Sequence, residues 1–396
     1  MTKAKNIFKK HQAQTFPYAS CLEIKNAKGS YIIDTKGKKY LDFVAGVSAC
    51  TLGHSNPYII NKIKKQLDNY THVMVYGEYV QEPQYMLAKL LADNLPKKLS
   101  TTYFTNSGTE AIEGSMKLAK RATGRPEIIS CKNSYHGSTQ GALSIMGNEY
   151  YKTKYRPLIP NCEHIIFNDI SSLKKITKKT AAVVIELIQG ATGLITPSSE
   201  YLKEVRRICT KTGALLIVDE IQTCFGRLGT LFGFQKYKVI PDILCIAKGM
   251  GGGMPIGAFI SSWELMNLFT FQPKLGHITT FGGHPVNCAA SLATLEYLLN
   301  SSTMEEINTK EKLFRRHLSH PKIKEIRGSG LMLAIELGEK DLCQKIVKKC
   351  LESGLILFHF LFTETAFRIT PPLTISNEEI IQGCDIIKQE LSKINN

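Results

Sequence analysis

The sequence has no Cys-x-x-Cys pair among its eleven cysteines, no apolar run approaching the length of a bilayer, and no Gly-x-x-x-x-Gly-Lys-Ser/Thr loop. An odd cysteine count without close pairs argues against a disulfide framework and for reduced thiols, so the cytoplasm is the expected compartment. The start, Met1 to Thr15, is polar and basic and lacks the apolar core of a secretory signal. It has the acid-poor look of a transit peptide, but it is short, and folded-looking sequence begins close behind it. Acidic residues are scarce too: 34 Asp and Glu stand against 50 Lys and Arg, a formal charge of +16. The lysines come as scattered doublets (Lys97-Lys98, Lys174-Lys175, Lys178-Lys179) rather than as a stripe interleaved with aromatics. That pattern reads as a solvated surface attractive to small anions, and neither nucleic acid nor membrane is expected as a partner. The histidines and cysteines show no ligand spacing, so no metal site is expected.

What is present is an ordinary globular composition, 43% hydrophobic and 21% charged, over 396 residues. That length suggests a large domain with a smaller one, or two comparable domains. YIIDTKGKKYLDF, residues 31–43, reads as a hairpin around a Lys-Gly-Lys turn. Ala182 to Ile185, Leu215 to Val218 and Ile243 to Ala247 read as buried strands. A helix from about Ser199 to Thr212, stopped by Gly213, separates the first two. Continuous apolar strands joined through a helix predict an α/β fold with a parallel sheet covered on both faces. After about residue 290 the pattern changes to helices, then LMLAIEL, another helix and a strand-like segment near Phe367 to Ile369, an α+β arrangement. The boundary is expected within a helix, near Asn287 to Leu299.

Three segments carry chemistry. Asn106-Ser107-Gly108-Thr109-Glu110 follows a strand-like TTYF and opens a helix with Ile112, Met116 and Ala119 on one face and Gly124 at its end. Free amides, two hydroxyls and the helix dipole would make this a phosphate cradle, while the plainer reading is an N-cap. Leu215 to Glu220 could be the Walker B strand of an ATPase, but the phosphate loop that reading needs is missing. The remaining reading places a carboxylate, Asp219, at the C-terminal edge of a parallel sheet, where it could hold a proton on a pyridine nitrogen. Finally, Lys248 ends an apolar strand and precedes Gly249, Gly251, Gly252 and Gly253. Most lysines are solvated, but desolvation and a neighbouring cation would lower the pKa of this one and free its amine for Schiff-base chemistry.

Together with YLDFVAGVSACTLGHSNP, YHGSTQGALSIMG, IELIQGATG, HITTFGGHP and FRITPPL, these segments resemble the class III aminotransferases. That fold-type I family includes acetylornithine, ornithine and 4-aminobutyrate aminotransferases. The resemblance runs from roughly residue 15 to the C-terminus and implies pyridoxal 5'-phosphate as cofactor. It implies a large, mainly parallel seven-stranded-sheet domain over 51–290, a small α+β domain over 291–396, and an N-terminal segment, 1–50, packing with the small domain. Lys248 resembles the Schiff-base lysine, and Asp219 the partner of the pyridine nitrogen. Gln222 would face the ring 3'-oxygen, Ile221 and Tyr135 would cover the two ring faces, and Ser107, Gly108 and Thr109 would hold the phosphate. Glu186 resembles an acid near the ring, and His136 sits beside Tyr135; both Tyr135 and His136 could instead be core residues. Thr280 of a neighbouring subunit would complete the phosphate site, with Thr279 at the substrate edge, so a homodimer with shared sites is implied.

The chain departs from the family pattern twice near the substrate. Ser138 stands where many members place an arginine, and Ala191 where many carry a glutamate that pairs with the C-terminal arginine. Arg368 matches that arginine and is expected to be free for a carboxylate throughout the cycle. A smaller departure is Cys224, where glycine is usual; only a packing effect is expected. The implied reaction is transfer of a terminal amino group from a donor such as N-acetylornithine or ornithine to a 2-oxo acid, with 2-oxoglutarate as the expected acceptor. A 4-aminobutyrate, lysine or diaminopelargonate-type transaminase, or a racemase or aminomutase on the same scaffold, remains open.

Overall fold

The computed structural model describes residues 2–17 and 19–394; Met1, Tyr18, Asn395 and Asn396, which the expected domain spans include, lie outside the described residues. The chain opens with an exposed helix, Lys3–His11. An antiparallel meander follows, β1 (Ile24–Lys28), β2 (Tyr31–Asp34) and β3 (Lys39–Asp42). The expected hairpin is its second half. Asp34 closes that turn by accepting from the amides of Lys36 and Lys38, both at 2.9 Å.

The central sheet contains β4 (Thr101–Thr105), β5 (Glu127–Cys131), β6 (Cys162–Ile165), β7 (Thr180–Glu186), β8 (Leu215–Asp219), β9 (Ile243–Ile246) and β10 (Gly257–Ser261). Its order is β4-β10-β9-β8-β7-β5-β6. Strands β5 to β9 are mutually parallel, and β10 alone runs against its neighbours β9 and β4. Strands with alternating burial would leave one face wet, but every residue of β7 and β9 is buried. Val183 and Ile185 enter one apolar cluster and Ala182 and Val184 another, so the sheet is covered on both faces. Burying one such Val or Ile is worth about 1.5–3 kcal/mol.

The helices that cover it start and stop where the residue chemistry says they should. Ser107 caps Gly108–Thr123 by accepting from the Glu110 amide, and Gly124 ends it at φ 67°. Ser198 caps Ser199–Thr212, and Gly213 ends it at φ 72°. Among the described residues no helix is long and apolar enough to cross a membrane.

A continuous helix, Pro285–Leu299, leads on to a second sheet of β11 (Glu325–Ser329), β12 (Met332–Glu336), β14 (Phe358–His359) and β15 (Ala366–Ile369), ordered β11-β12-β15-β14. The short β13 (Leu355–Ile356) leaves that sheet and pairs in parallel with β3. The last helix, Asn377–Lys393, starts in a Ser376/Glu379 capping box, and Glu379 also accepts from Ser30 at 2.8 Å. Arg227, fully buried after β8, donates to the carbonyls of Leu331 (3.0 Å) and Pro371 (2.6 Å), locking the central sheet's loops to the second sheet.

Candidate active site

Parallel strands release their chains at one edge of the sheet, so loops distant in sequence meet there. After β4 come Ser107, Gly108 and Thr109; after β5, Tyr135, His136 and Ser138; after β7, Gly190 and Ala191. After β8 come Ile221 and Gln222, and after β9, Lys248. All of them line one cavity of about 920 Å³, together with Glu186, Asp219 and Arg368. Thr279 and Thr280 do not line it: Thr279 accepts from Asn106 Nδ2 at 3.0 Å, and Thr280 is exposed on its own chain.

The floor is set by register. Glu186 ends β7 directly opposite Asp219 at the end of β8. Asp219 Oδ1 accepts from the Ile221 amide (2.9 Å), and Oδ2 lies 2.7 Å from His136 Nδ1. Burial pulls the His136 imidazole down, but the hydrogen bond and charge of Asp219, with Glu186 behind it, hold its pKa above the ordinary value. Its Nε2 is buried without a partner. Glu186 accepts from the amides of Tyr135 (2.9 Å) and Gly190 (2.7 Å). Burial, reinforced by the Asp219 charge, nevertheless pushes the Glu186 carboxyl up to about 7.

Lys248 lies just beyond the strand that was expected to carry it: β9 stops at Ile246, and Lys248 opens a 3₁₀ turn at φ 45°. A non-glycine residue in this left-handed region costs of order 1–3 kcal/mol and is held there only by its surroundings. The surrounding protein desolvates the amine and lowers its pKa; the Arg368 cation adds to that shift, and Asp219 and Glu186 oppose it. That direction favours the nucleophilic form of the amine.

The opening turn of Gly108–Thr123 presents the amides of Gly108 and Thr109, which have no intrahelical acceptor. Thr109 Oγ1 lies 2.7 Å from Thr139 Oγ1, which in turn donates to Glu113. A Cβ on Gly108 would sit 2.7 Å from Ile221 Cδ1, so the turn and Ile221 fit only because residue 108 has no side chain. Such a cradle suits a phosphate.

Arg368 projects from β15 into the opposite wall. Its guanidinium stacks 4.6 Å from the Phe360 ring centroid, and Nε donates to the His359 carbonyl at 3.3 Å. Burial alone lowers its pKa, to about 10, with no carboxylate counteracting it. Its contacts here are thus an aromatic face and a backbone carbonyl. Ala191 presents only a methyl group to the cavity and its carbonyl to the Phe362 amide (3.0 Å). Ser138 is exposed at the mouth, 3.3 Å from the Tyr135 hydroxyl. Cys224 is buried, with Sγ 3.8 Å from the carbonyl of Ala247, next to Lys248.

Sequence reasoning missed Val47 and Ala49, from the segment after β3, and Phe358 and Leu361, around β14; all line the cavity. It also missed that His136 binds Asp219. No spacing rule connects these positions, because tertiary packing alone brings them to the site.

The family model for aminotransferase class-III matches residues 13–391. The acetylornithine aminotransferase of Caldanaerobacter subterraneus subsp. tengcongensis is 37% identical, over 98% of each chain. The putrescine aminotransferase of Pectobacterium atrosepticum is 36% identical, over 92% of this chain and 81% of that one. Among solved structures, the adenosylmethionine-8-amino-7-oxononanoate aminotransferase of Methanocaldococcus jannaschii superposes with a TM-score of 0.91 at 30% identity, over 99% of each chain. A loop-built cavity at the sheet edge, a desolvated lysine facing a paired aspartate, and matches over nearly the whole chain lead to one conclusion: this protein is an enzyme that belongs to the class III aminotransferases.

Proposed function

We propose that the cavity binds pyridoxal 5'-phosphate and that the enzyme moves the terminal amino group of an amine or amino acid, such as N-acetylornithine or ornithine, to a 2-oxo acid. The observation that carries this reading is the Lys248 amine, desolvated and set among Asp219, Glu186 and Arg368. The residues fit the cofactor by their donor chemistry and by the space at Gly108: Ser107, Gly108 and Thr109 would hold the phosphate, Asp219 the ring nitrogen, Gln222 the 3'-oxygen, and Ile221 and Tyr135 the ring faces. When bound, the cofactor supplies an electron sink for the charge that develops at the amine-bearing carbon.

The chain's own residues do the rest. Lys248 Nζ would take the proton from the amine-bearing carbon of the donor and pass it on within the same half-reaction, and in the second half it would deliver a proton to the former keto carbon of the acceptor. Asp219 is held in one orientation by His136 and the Ile221 amide. Arg368 receives the substrate carboxylate. Relatives named for acetylornithine and putrescine support a terminal amine as donor.

A homodimer in the cytoplasm completes the reading. Phe271, Leu275, Ile278 and Phe281, close to Thr280 in sequence, are all exposed apolar side chains, and a second copy would cover them. Thr280 would then reach the neighbour's phosphate site. Reconstitution with pyridoxal 5'-phosphate, borohydride reduction and digestion tests the core of the proposal. The peptide around AKGMGGG should carry the tag on Lys248, Lys248→Ala should carry none, and an untagged wild-type peptide would remove the proposal.

A further inference from the structure

The cavity has few cations with which to hold an acidic acceptor. Among the described residues its charged lining consists of Lys248, Arg368, Asp219 and Glu186, with His136 tied to Asp219. Lys248 is committed to the chemistry. One guanidinium, that of Arg368, is left to receive carboxylates.

From this charge census we infer that the 2-oxo acid taken by the site is a monocarboxylate of the pyruvate class, held by Arg368, and that a dicarboxylate of the 2-oxoglutarate class is the poorer acceptor. The inference rests on the aminotransferase reading above and departs from the 2-oxoglutarate expected from the sequence.

The walls around Arg368 explain the preference. The guanidinium lies against Phe360, and Phe358 is its direct neighbour in register across β14 and β15. Leu361, Ile188 and Ala191 add further apolar lining. Residue 191 contributes only a methyl group, and its carbonyl is taken by the Phe362 amide. A methyl group next to the bound carboxylate finds a surface of its own kind there. A second carboxylate would give up water against carbon without gaining a cation, an unfavourable exchange. Elsewhere in the cavity it would meet neutral groups, among them the Ser138 and Tyr135 hydroxyls, or the acidic Glu186 and Asp219. The transfer balances without another oxidant. The donor carbon loses its amino group and two electrons and becomes a carbonyl, while the keto carbon of the acceptor gains both and becomes the carbon of an amino acid.

A cation from a second copy would change the census, and the exposed segment around Thr280 carries one, Lys274. The test therefore uses reconstituted wild-type, Ser138→Arg and Lys274→Ala enzymes. Each is first converted with an amine donor to its amino-carrying form and then mixed with pyruvate or 2-oxoglutarate. The wild type is expected to favour pyruvate in kcat/KM by about tenfold or more, as a missing charge partner implies. Ser138→Arg, which places a second guanidinium at the mouth, is expected to shift the ratio toward 2-oxoglutarate. A wild-type enzyme that uses 2-oxoglutarate as well as pyruvate overturns the inference, whether or not Lys274→Ala removes that activity. If neither acid reoxidises the amino-carrying form of unreduced enzyme from a batch whose borohydride-treated portion is tagged at Lys248, the aminotransferase reading itself falls, and this one with it.

Discussion

His136 Nδ1 and Asp219 Oδ2 lie 2.7 Å apart on the cavity floor, a buried pair joined across two strand ends. The imidazole leaves Asp219 one oxygen on a ring nitrogen donor and the other on the Ile221 amide, which fixes the direction of the carboxylate. Asp219→Asn removes the charge that a protonated pyridine needs, so kcat should fall roughly 100- to 10,000-fold with the cofactor still bound. His136→Phe keeps the bulk but frees the carboxylate to turn. It should lower kcat by about tenfold and move the pH at which the bound cofactor's absorbance changes. Cofactor spectra recorded against pH, alongside rates, separate this from a packing defect, which would leave the spectral midpoint in place.

Arg368 makes a second, independent prediction. Its planar fork is stacked on Phe360 and is not engaged by a carboxylate. Arg368→Lys keeps the charge but loses bidentate recognition and stacking, so KM for the 2-oxo acid should rise by about tenfold with kcat little changed. An amine donor without a carboxylate should be used equally well by both enzymes. Steady-state kinetics with one carboxylated and one uncarboxylated donor decide it.

Much of this site was legible because its members sit where strands end, and strand ends are visible in sequence. The β-branched run of β7, the apolar run of β8 and the glycines after Lys248 each mark a point where backbone leaves the sheet. The Ser107 cap and the Gly124 stop were visible for a similar reason, since each residue has a local conformational role. What could not be read was anything set by packing between distant segments. Ala45, Val47 and Ser48 all hold positive φ, a conformation no local signal assigns to such residues, and that turn brings Val47 to the cavity. The placement of Lys248 beyond its strand, at φ 45°, is likewise imposed by the surrounding fold.

Packing between chain ends gives a stability prediction. Phe43, fully buried after β3, meets Phe314 edge-on at 5.2 Å and lies directly against Gly383 of the last helix. A Cβ at residue 383 would fall 2.0 Å from Phe43 Cζ, which no rotamer of a packed ring can absorb without displacing its neighbours. Gly383→Ala should therefore destabilise the fold by about 1–3 kcal/mol or more, although alanine is the better helix former. Urea unfolding would show a lower midpoint, and a raised midpoint would mean that helix propensity outweighs the clash.

The segment that carries Val47 to the cavity is pinned by Asp42 and the titrating His54, and pH should expose it. Asp42 Oδ1 accepts from the amides of Val44 (2.8 Å) and Ala45 (3.0 Å), and Oδ2 lies 2.8 Å from His54 Nε2. The hydrogen bond to Asp42, then one to Cys50, outweigh burial and raise the His54 pKa to about 10. The unfolded chain releases this proton near the ordinary histidine value of about 6.5, while the folded chain holds it to about 10. The pair's stabilisation is thus fully present below the unfolded value and is lost as pH climbs through the window between the two. His54 is partly reached by solvent, so screening reduces the effect to about 1–2 kcal/mol. His54→Ala should accordingly lose that much more stability, relative to wild type, at about pH 6 than at about pH 10. Denaturant unfolding of both proteins at the two pH values measures the difference, and a gap that stays constant with pH would show that His54 stabilises by packing rather than by charge.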